Sequence, residues 1–468
     1  MSKKIGGVVA LAAMCAVSLL LVNCGSSSSR PSGLLYVLTQ GTNGTGNNVS
    51  SFAIDLNSGN LSLINSNAST CTPAGGSCGL PLNIVLDPTG STAFVLNQGV
   101  PCQQDPTTLM CVVNNNNTPT ASIPPTIYPY TVASDGSLSS PGTPTVLSHP
   151  LPSTPPDTED DADIAVTMVR DAAGQFLFVI NRGSNPTPAN CPHEPDPTKE
   201  FDACPSISVF SMKPGSTTLT LVGGEVVNGK PAPLRLSRVP TALSAIAVSS
   251  PAEELLFVAS SKDLSNNHND NTVSVYGVGS DGTLTEKVGS PYATPTINPL
   301  SVLAVNTNPP GQNSGGGVFI YVAAAGNAAG ALDAFQVCTV VGIAGCTPSD
   351  VSNALLLPVG ASPTSTGQTP VGIVVDPTNK FLFVVCYGSS QVFGYLIDTT
   401  AGTLTRPANL STGSQPVAMA MHSSGMFLYT SNSGSSNISA FTVSTVSGSI
   451  NTVATVNSPS VPSGMTAR

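Results

Sequence analysis

Short apolar runs, punctuated by glycine, proline and small polar residues, recur along the chain after Gly33. The clearest unit is PVGIVVDPTNKFLFVVCYGSSQVFGYLIDTTAGTLTR, from Pro370 to Arg406. A second, PVAMAMHSSGMFLYTSNSGSSNISAFTVSTVSGSI, follows from Pro416. Each unit reads as an apolar run, a turn, a second apolar run, a polar-glycine segment, an alternating run and a short last run. Runs this short, bounded by turn residues, predict strands rather than helices. They are called A to D here, in chain order. Strand B can be followed by its core: LLYV ending at Val37, TAFV at Val95, FLFV at Val179, LLFV at Val258, FIYV at Val322, FLFV at Val384 and FLYT at Thr430. That makes seven copies, 46 to 84 residues apart. A four-stranded propeller blade takes about 40–50 residues, so the excess must be loop insertion. The predicted fold is all-β, a seven-bladed β-propeller with four antiparallel strands per blade. The first unit opens directly at strand B. Pro462 to Ala467 echoes the Pro416 start, so the C-terminal strand is expected to complete blade 1 and close the ring.

A four-strand meander fixes which connections share a face. The A–B and C–D turns lie on one face, and the B–C and D–A loops on the other. The A–B and C–D turns are mostly tight, as in Asp376-Pro377-Thr378-Asn379 and Ser280-Asp281-Gly282. The insertions, such as Gly99 to Pro125 and Gly183 to Pro205, fall mainly in B–C and D–A loops. Elaborated loops on a rigid scaffold are where binding usually sits. A ligand-binding rim is therefore expected there, from residues at or just past the end of strand B: Asn97, Gln98, Asn181, Tyr387 and Asn432. Arg182 is the only charge in this ring. It would hold a carboxylate or phosphate, or pair with the acidic loop Asp157 to Asp163. That loop is a candidate calcium site through Asp160, Asp161 and Asp163, and otherwise a solvated acidic segment. His193 and Glu194 are the best acid/base pair, with Arg182 as the positive partner in catalysis.

The N-terminus reads as an export signal. Lys3 and Lys4 precede the apolar stretch Ile5 to Val22, and Cys24 follows Asn23. The expected organisation is a signal peptide over 1–23, a lipidated serine-rich tether over 24–32 with Cys24 acylated, and the propeller over 33–468. This would place the protein in a bacterial cell envelope, on a membrane through its lipid, as a monomer. Eight further cysteines fall in close pairs: Cys71 with Cys78, Cys102 with Cys111, Cys191 with Cys204, and Cys338 with Cys346. An oxidising compartment would close these as local disulfides. Cys386 is left over at the end of an apolar run and is read as a buried small hydrophobe.

Only 9% of residues are charged, and the 15 Lys and Arg never cluster, which disfavours nucleic-acid binding. Gly224 to Lys230 superficially matches a phosphate loop. Pro231 stands where Ser or Thr would hold magnesium, and no helical pattern follows, so the match is discarded. The Asp-Pro-Thr-Gly turn leading into strand B, and the Asn-x-Gly after it, resemble the YVTN-type repeats of the lactonase family of seven-bladed propellers (6-phosphogluconolactonase-like). The resemblance spans nearly the whole chain after Gly33. It implies the fold directly and, less directly, a hydrolase of a sugar or related lactone. Family members commonly carry a histidine near the opening of strand A in an early blade. Asp163 to Met168 has none. Two functions therefore stand side by side: an exported, lipid-anchored module binding a protein, glycan or small ligand, and a lactonase-like hydrolase.

Overall fold

A computed structural model of the chain describes residues 33–41, 47–70, 79–99, 124–147, 164–183, 204–227, 229–249, 252–264, 269–309, 315–339, 345–360 and 362–468. These form seven antiparallel sheets in a ring, each with strands A to D paired side by side in that order. Blade 2 runs Pro81–Leu86, Thr92–Asn97, Thr126–Thr131 and Thr145–Val146. Blade 6 runs Pro370–Val375, Phe381–Cys386, Gln391–Ile397 and Leu404–Ser411. Blade 1 takes strands B to D from Leu34–Gln40, Asn48–Ile54 and Leu61–Ser69, and its strand A is Val461–Ala467. The chain closes its ring as the C-terminal echo predicted. Each strand A also neighbours strand A of the next blade, all the way round.

Strand B reads as a continuous apolar run because both of its faces are buried. In blade 1, Leu35 and Val37 join the apolar cluster shared with blade 7, whereas Leu34, Tyr36 and Leu38 join the one shared with blade 2. Each of the seven blade interfaces carries such a cluster. The alternating pattern of strand C suits one packed face and one less buried face. In the fold its small polar residues are covered as well, Ser206, Ser208, Ser274 and Ser439 among them. A blade wedged between two neighbours has no open face, and serine is small enough to fit there.

The third residue of the LLYV-type core makes a second contact between blades. Tyr36 donates to the Gly136 carbonyl at 2.9 Å, Tyr321 to Gly402 at 3.0 Å, and Tyr429 to Gly59 at 3.0 Å. Each acceptor sits in the C–D turn of the following blade. Gly402 has a positive φ of 71°, and its missing Cβ leaves the space that the Phe319 ring occupies.

Every strand A carries a β-bulge near its start, at Leu82, Val166, Thr241, Leu300, Val371, Val417 and Ser463. Before it, in blades 5 to 7, Asn298, Thr369 and Gln415 take left-handed backbone, and their carbonyls accept from Ala325, Tyr387 and Ser433 N–H. The discarded phosphate-loop match is a β-ribbon, Glu225–Val227 against Lys230–Ala232. Cys338 and Cys346 form the expected disulfide between strands C and D of blade 5, followed by a short helix, Pro348–Ser352. Cys204 is disulfide-bonded too. Cys24, Cys71, Cys78, Cys102, Cys111 and Cys191 lie outside the described residues.

Gly402→Ala should lower unfolding stability by about 2 kcal/mol or more, because it combines backbone strain with displacement of Phe319. Tyr321→Phe, which loses only the hydrogen bond, should cost about 1 kcal/mol. Urea denaturation of the two variants checks the order.

Candidate functional site

The A–B turns hold the polar end of the channel. In blades 2, 3 and 6 the first turn residue is a buried aspartate: Asp87, Asp171 and Asp376. Its carboxylate accepts from the turn that it starts. Asp376 takes Lys380 and Phe381 N–H at 2.8 and 2.7 Å, and Asp171 takes Phe176 N–H at 2.9 Å. Asp87 accepts Thr92 N–H at 2.8 Å and also Gly215 N–H of blade 3 at 2.9 Å. Burial alone would raise the Asp87 carboxyl, but the Thr89 hydroxyl, followed by these N–H donors, holds it below its ordinary range. Blade 7 has His422 at this position, its Nδ1 2.8 Å from Ser424 Oγ.

A cavity of about 590 Å³ opens among these turns, against strands A of blades 1, 2 and 3. Its wall includes Asn83, Asp87, Gly90, Met168, Arg170, Asp171, Thr466 and Arg468. Arg170 ends strand A of blade 3 (Ala165–Arg170). Its Nε donates to Leu86 O at 2.9 Å, and its Nη1 to Asp171 O and Ala172 O at 2.9 and 3.2 Å. Arg468 Nη1 donates to Gly90 O at 3.1 Å. Neither guanidinium has a carboxylate partner among the described residues.

Beside the cavity lies Glu254, in strand B of blade 4. It opposes Ala247 in register, two residues on from the cavity-lining Ala245. Burial, and secondly the charge of Asp171, push its carboxyl up to about 7. Its Oε1 is buried without a hydrogen-bond partner. The adjacent Glu253 is different, since Lys287 Nζ reaches its carboxylate at 2.5 Å. The cavity wall thus sets the Asp171 carboxylate next to the Arg170 guanidinium, and Glu254 lies near enough to feel the charge of Asp171.

The opposite end of the ring looks otherwise. Asn97, Asn181 and Asn432 are fully buried. Asn97 Nδ2 donates to Thr70 O at 2.7 Å, Asn181 Nδ2 to Ser206 Oγ at 3.3 Å, and Asn432 Nδ2 to Asn437 Oδ1 at 2.8 Å. Asn97 ties its strand end to a loop, whereas Asn181 and Asn432 tie theirs to the start of strand C in the same blade. Gln98 and Tyr387 are half-buried and Arg182 is exposed. Each joins a loop by its backbone: Gln98 N–H to Leu80 O, Arg182 N–H to Ile164 O and Tyr387 N–H to Thr369 O. His193, Glu194, Asp160, Asp161 and Asp163 lie outside the described residues. Among the described residues no group of three or more His, Cys, Asp or Glu could hold a metal ion. Cys386 is buried beside Thr366, and burial raises its thiol, which fits a packing role.

The sequence reading missed Arg170, Arg468, Asp171 and Glu254. A signal existed for Arg170: it stands where the repeat has Leu86, Val375 and Met421.

The architecture is that of a seven-bladed β-propeller. Residues 354–466 match the family described as lactonase, 7-bladed β-propeller, which bears out the resemblance seen in the repeats. The chain is similar to a suspected 6-phosphogluconolactonase from Bacteroides fragilis, at 13% identity and TM-score 0.57 over 93% of this chain and 98% of that one. It is also similar to the periplasmic gluconolactonase of Pseudomonas aeruginosa, at 16% identity and TM-score 0.55 over 93% and 98%. A protein from Lactobacillus plantarum is similar at 11% identity and TM-score 0.56 over 93% and 99%. At such identities the likeness is one of fold. No curated protein matches the chain. The chain is therefore a lactonase-like propeller in architecture.

The raised Glu254 carboxyl carries a pH signature. The fold keeps its proton across a window, about 4.5 to about 7, in which the unfolded chain has released it. Folding stability should therefore fall as pH rises through that window, by roughly 1–3 kcal/mol, and level off above it. Glu254→Gln should flatten this slope. Urea denaturation at about pH 5 and about pH 7.5 measures both.

Proposed function

We propose that this chain is a lactonase-like hydrolase that opens the ring of a small polar lactone at the A–B mouth of its channel. The observation that carries the reading is the cavity of about 590 Å³ whose wall joins Arg170 to Asp171, with Glu254 beside them. That volume suits a sugar-sized ligand. The lactonase match and the fold likeness to a periplasmic gluconolactonase support the same class.

In this reading Asp171 takes a proton from water as its oxygen attacks the lactone carbonyl. Arg170 faces the negative charge developing on the carbonyl oxygen. The ring C–O bond then breaks, and the leaving alkoxide recovers the proton from Asp171. The products are a hydroxyl and a carboxylic acid on one molecule, and the acid releases its proton to solvent. Glu254, its carboxyl pushed up to about 7 by burial and by the charge of Asp171, stands beside the pair of Arg170 and Asp171. Export through residues 1–23, with lipidation at Cys24, belongs to the same proposal. It would bring the enzyme to unphosphorylated sugar lactones in the cell envelope.

The test is a panel of sugar and hydroxy-acid lactones, followed by titration of released acid. Asp171→Asn keeps an oxygen acceptor for Phe176 N–H, so the turn should survive. It and Glu254→Gln should each lower kcat by about 100-fold or more. Full activity in both variants, or no lactone opened, sinks the reading. His193→Ala in the same panel should stay at the parent rate. Its loss of activity would move the site to the opposite face.

Radiolabelled palmitate should label the protein expressed in a bacterial host and fail to label Cys24→Ser. A parent that takes up no label refutes the anchor.

A further inference from the structure

We propose that Arg170 and Arg468 form a carboxylate-binding site for a hydroxy acid, one half of which is supplied by the C-terminal strand that closes the ring. The inference rests on the hydrolase reading in one respect: the acid bound is the ring-opened product, or a relative of it.

The repeat explains why Arg468 is available. It occupies the turn position held by Asp87, Asp171, Asp376 and His422 in other blades. Its backbone makes the usual pairing, Arg468 N–H to Leu34 O at 2.9 Å and Leu34 N–H to Arg468 O at 3.1 Å. In blade 1, however, no A–B turn follows, because strand B there is Leu34–Gln40 from the other end of the chain. The strand B N–H that an aspartate side chain accepts in blades 2, 3 and 6 goes here to the Arg468 carbonyl, and a cation can stand at the position instead. Its guanidinium lies against Gly90, where a Cβ would collide with it.

Arg170 approaches the same blade 2 turn from the other side, onto Leu86 O. The two arginines thus come from blades 1 and 3 and flank the Asp87–Gly90 turn of blade 2, all in one cavity wall. Their bonds go to backbone carbonyls alone, so the Nη2 group of each is without an acceptor among the described residues. Two guanidiniums with open edges suit an oxyanion. The wall also holds the Asp87 and Asp171 carboxylates, which oppose a dianionic phosphate ester more than a singly charged carboxylate. A separate observation points to hydroxyls. Asn83 Oδ1 is buried in this wall without a hydrogen-bond partner, while its Nδ2 donates to Thr167 Oγ1 at 3.1 Å. Ser423 and Thr466 add hydroxyls to the lining.

An acid bound by both arginines would bridge blade 3 to the clasp across blade 2. It should therefore tighten the closed ring as well as fill the site.

The experiment is calorimetric titration and thermal unfolding of the full chain with gluconate. Glucose, inorganic phosphate and 6-phosphogluconate serve as comparisons. Gluconate should bind the parent and raise its Tm, and at a concentration about 100 times its Kd the folded-to-unfolded ratio should rise about 100-fold. Arg170→Gln and Arg468→Gln should each weaken gluconate at least about 10-fold. If either Gln variant fails to fold, Arg170→Lys and Arg468→Lys, which keep charge but lose the fork, should give the same weakening. No gluconate binding, equal binding by the variants, or tighter binding of either phosphate compound overturns the proposal. Lactone turnover on the same samples separates the two readings. Gluconate binding without turnover refutes the hydrolase and leaves this site standing. Turnover without gluconate binding does the reverse.

Discussion

The structure depends on the burial of each blade between two others. Strand B shows this most directly. Its alternate side chains belong to different interface clusters, as Tyr36 and Val37 do, so removing one neighbour would expose half of the strand. A single four-stranded sheet of this kind cannot bury its apolar faces by itself. The Tyr-to-glycine contacts add a directional tie at three of the seven interfaces. Apolar burial is non-directional and supplies most of the stabilisation. The hydrogen bond from Tyr321 to Gly402 O adds about 1 kcal/mol, but it fixes which turn faces which strand.

That dependence makes the point of closure special. Every interface but one joins blades contiguous in the chain. The remaining blade, blade 1, is assembled from both ends, with Val461–Ala467 as its strand A. Closure removes the exposed strand edges that would otherwise invite pairing with other chains. It also frees one turn position from the aspartate rule. In blades 2, 3 and 6 the carboxylate organises the loop into strand B. In blade 1 there is no loop to organise, and Arg468 stands in its place. The same geometric interruption that lets the ring close also puts a cation at the channel mouth.

Much of this was legible in the sequence for one physical reason: repetition exposes what each position must do. Seven apolar cores marked the strand B positions, and the Pro462 echo of Pro416 located the clasp, because a strand A begins the same way wherever it comes from. The same logic failed for Asn97, Asn181 and Asn432. A polar residue ending an apolar strand looks like a rim residue, but strand B is buried to its last residue, and those amides turn to Thr70, Ser206 and Asn437. Arg170 was legible in principle as a charge in an apolar column. Glu254 was not, because its neighbour Asp171 is 83 positions earlier in the chain, and only the packing of blade 3 on blade 4 brings their charges into range.

The two ends of the channel differ in what their polar groups are already doing. At the B–C end the amide nitrogens of Asn97, Asn181 and Asn432 donate within the fold. At the A–B end the aspartates accept from their turns, while the guanidiniums of Arg170 and Arg468 keep donors without an acceptor among the described residues. In a chain with only 15 Lys and Arg, two of them share one cavity wall, where they stand beside the Asp87 and Asp171 carboxylates. Arg468 reaches Gly90 only when strand A of blade 1 is docked, so the full donor set exists only in the closed ring. Any anion that uses both arginines must therefore select that state, and the strand that completes the fold becomes part of what the fold recognises.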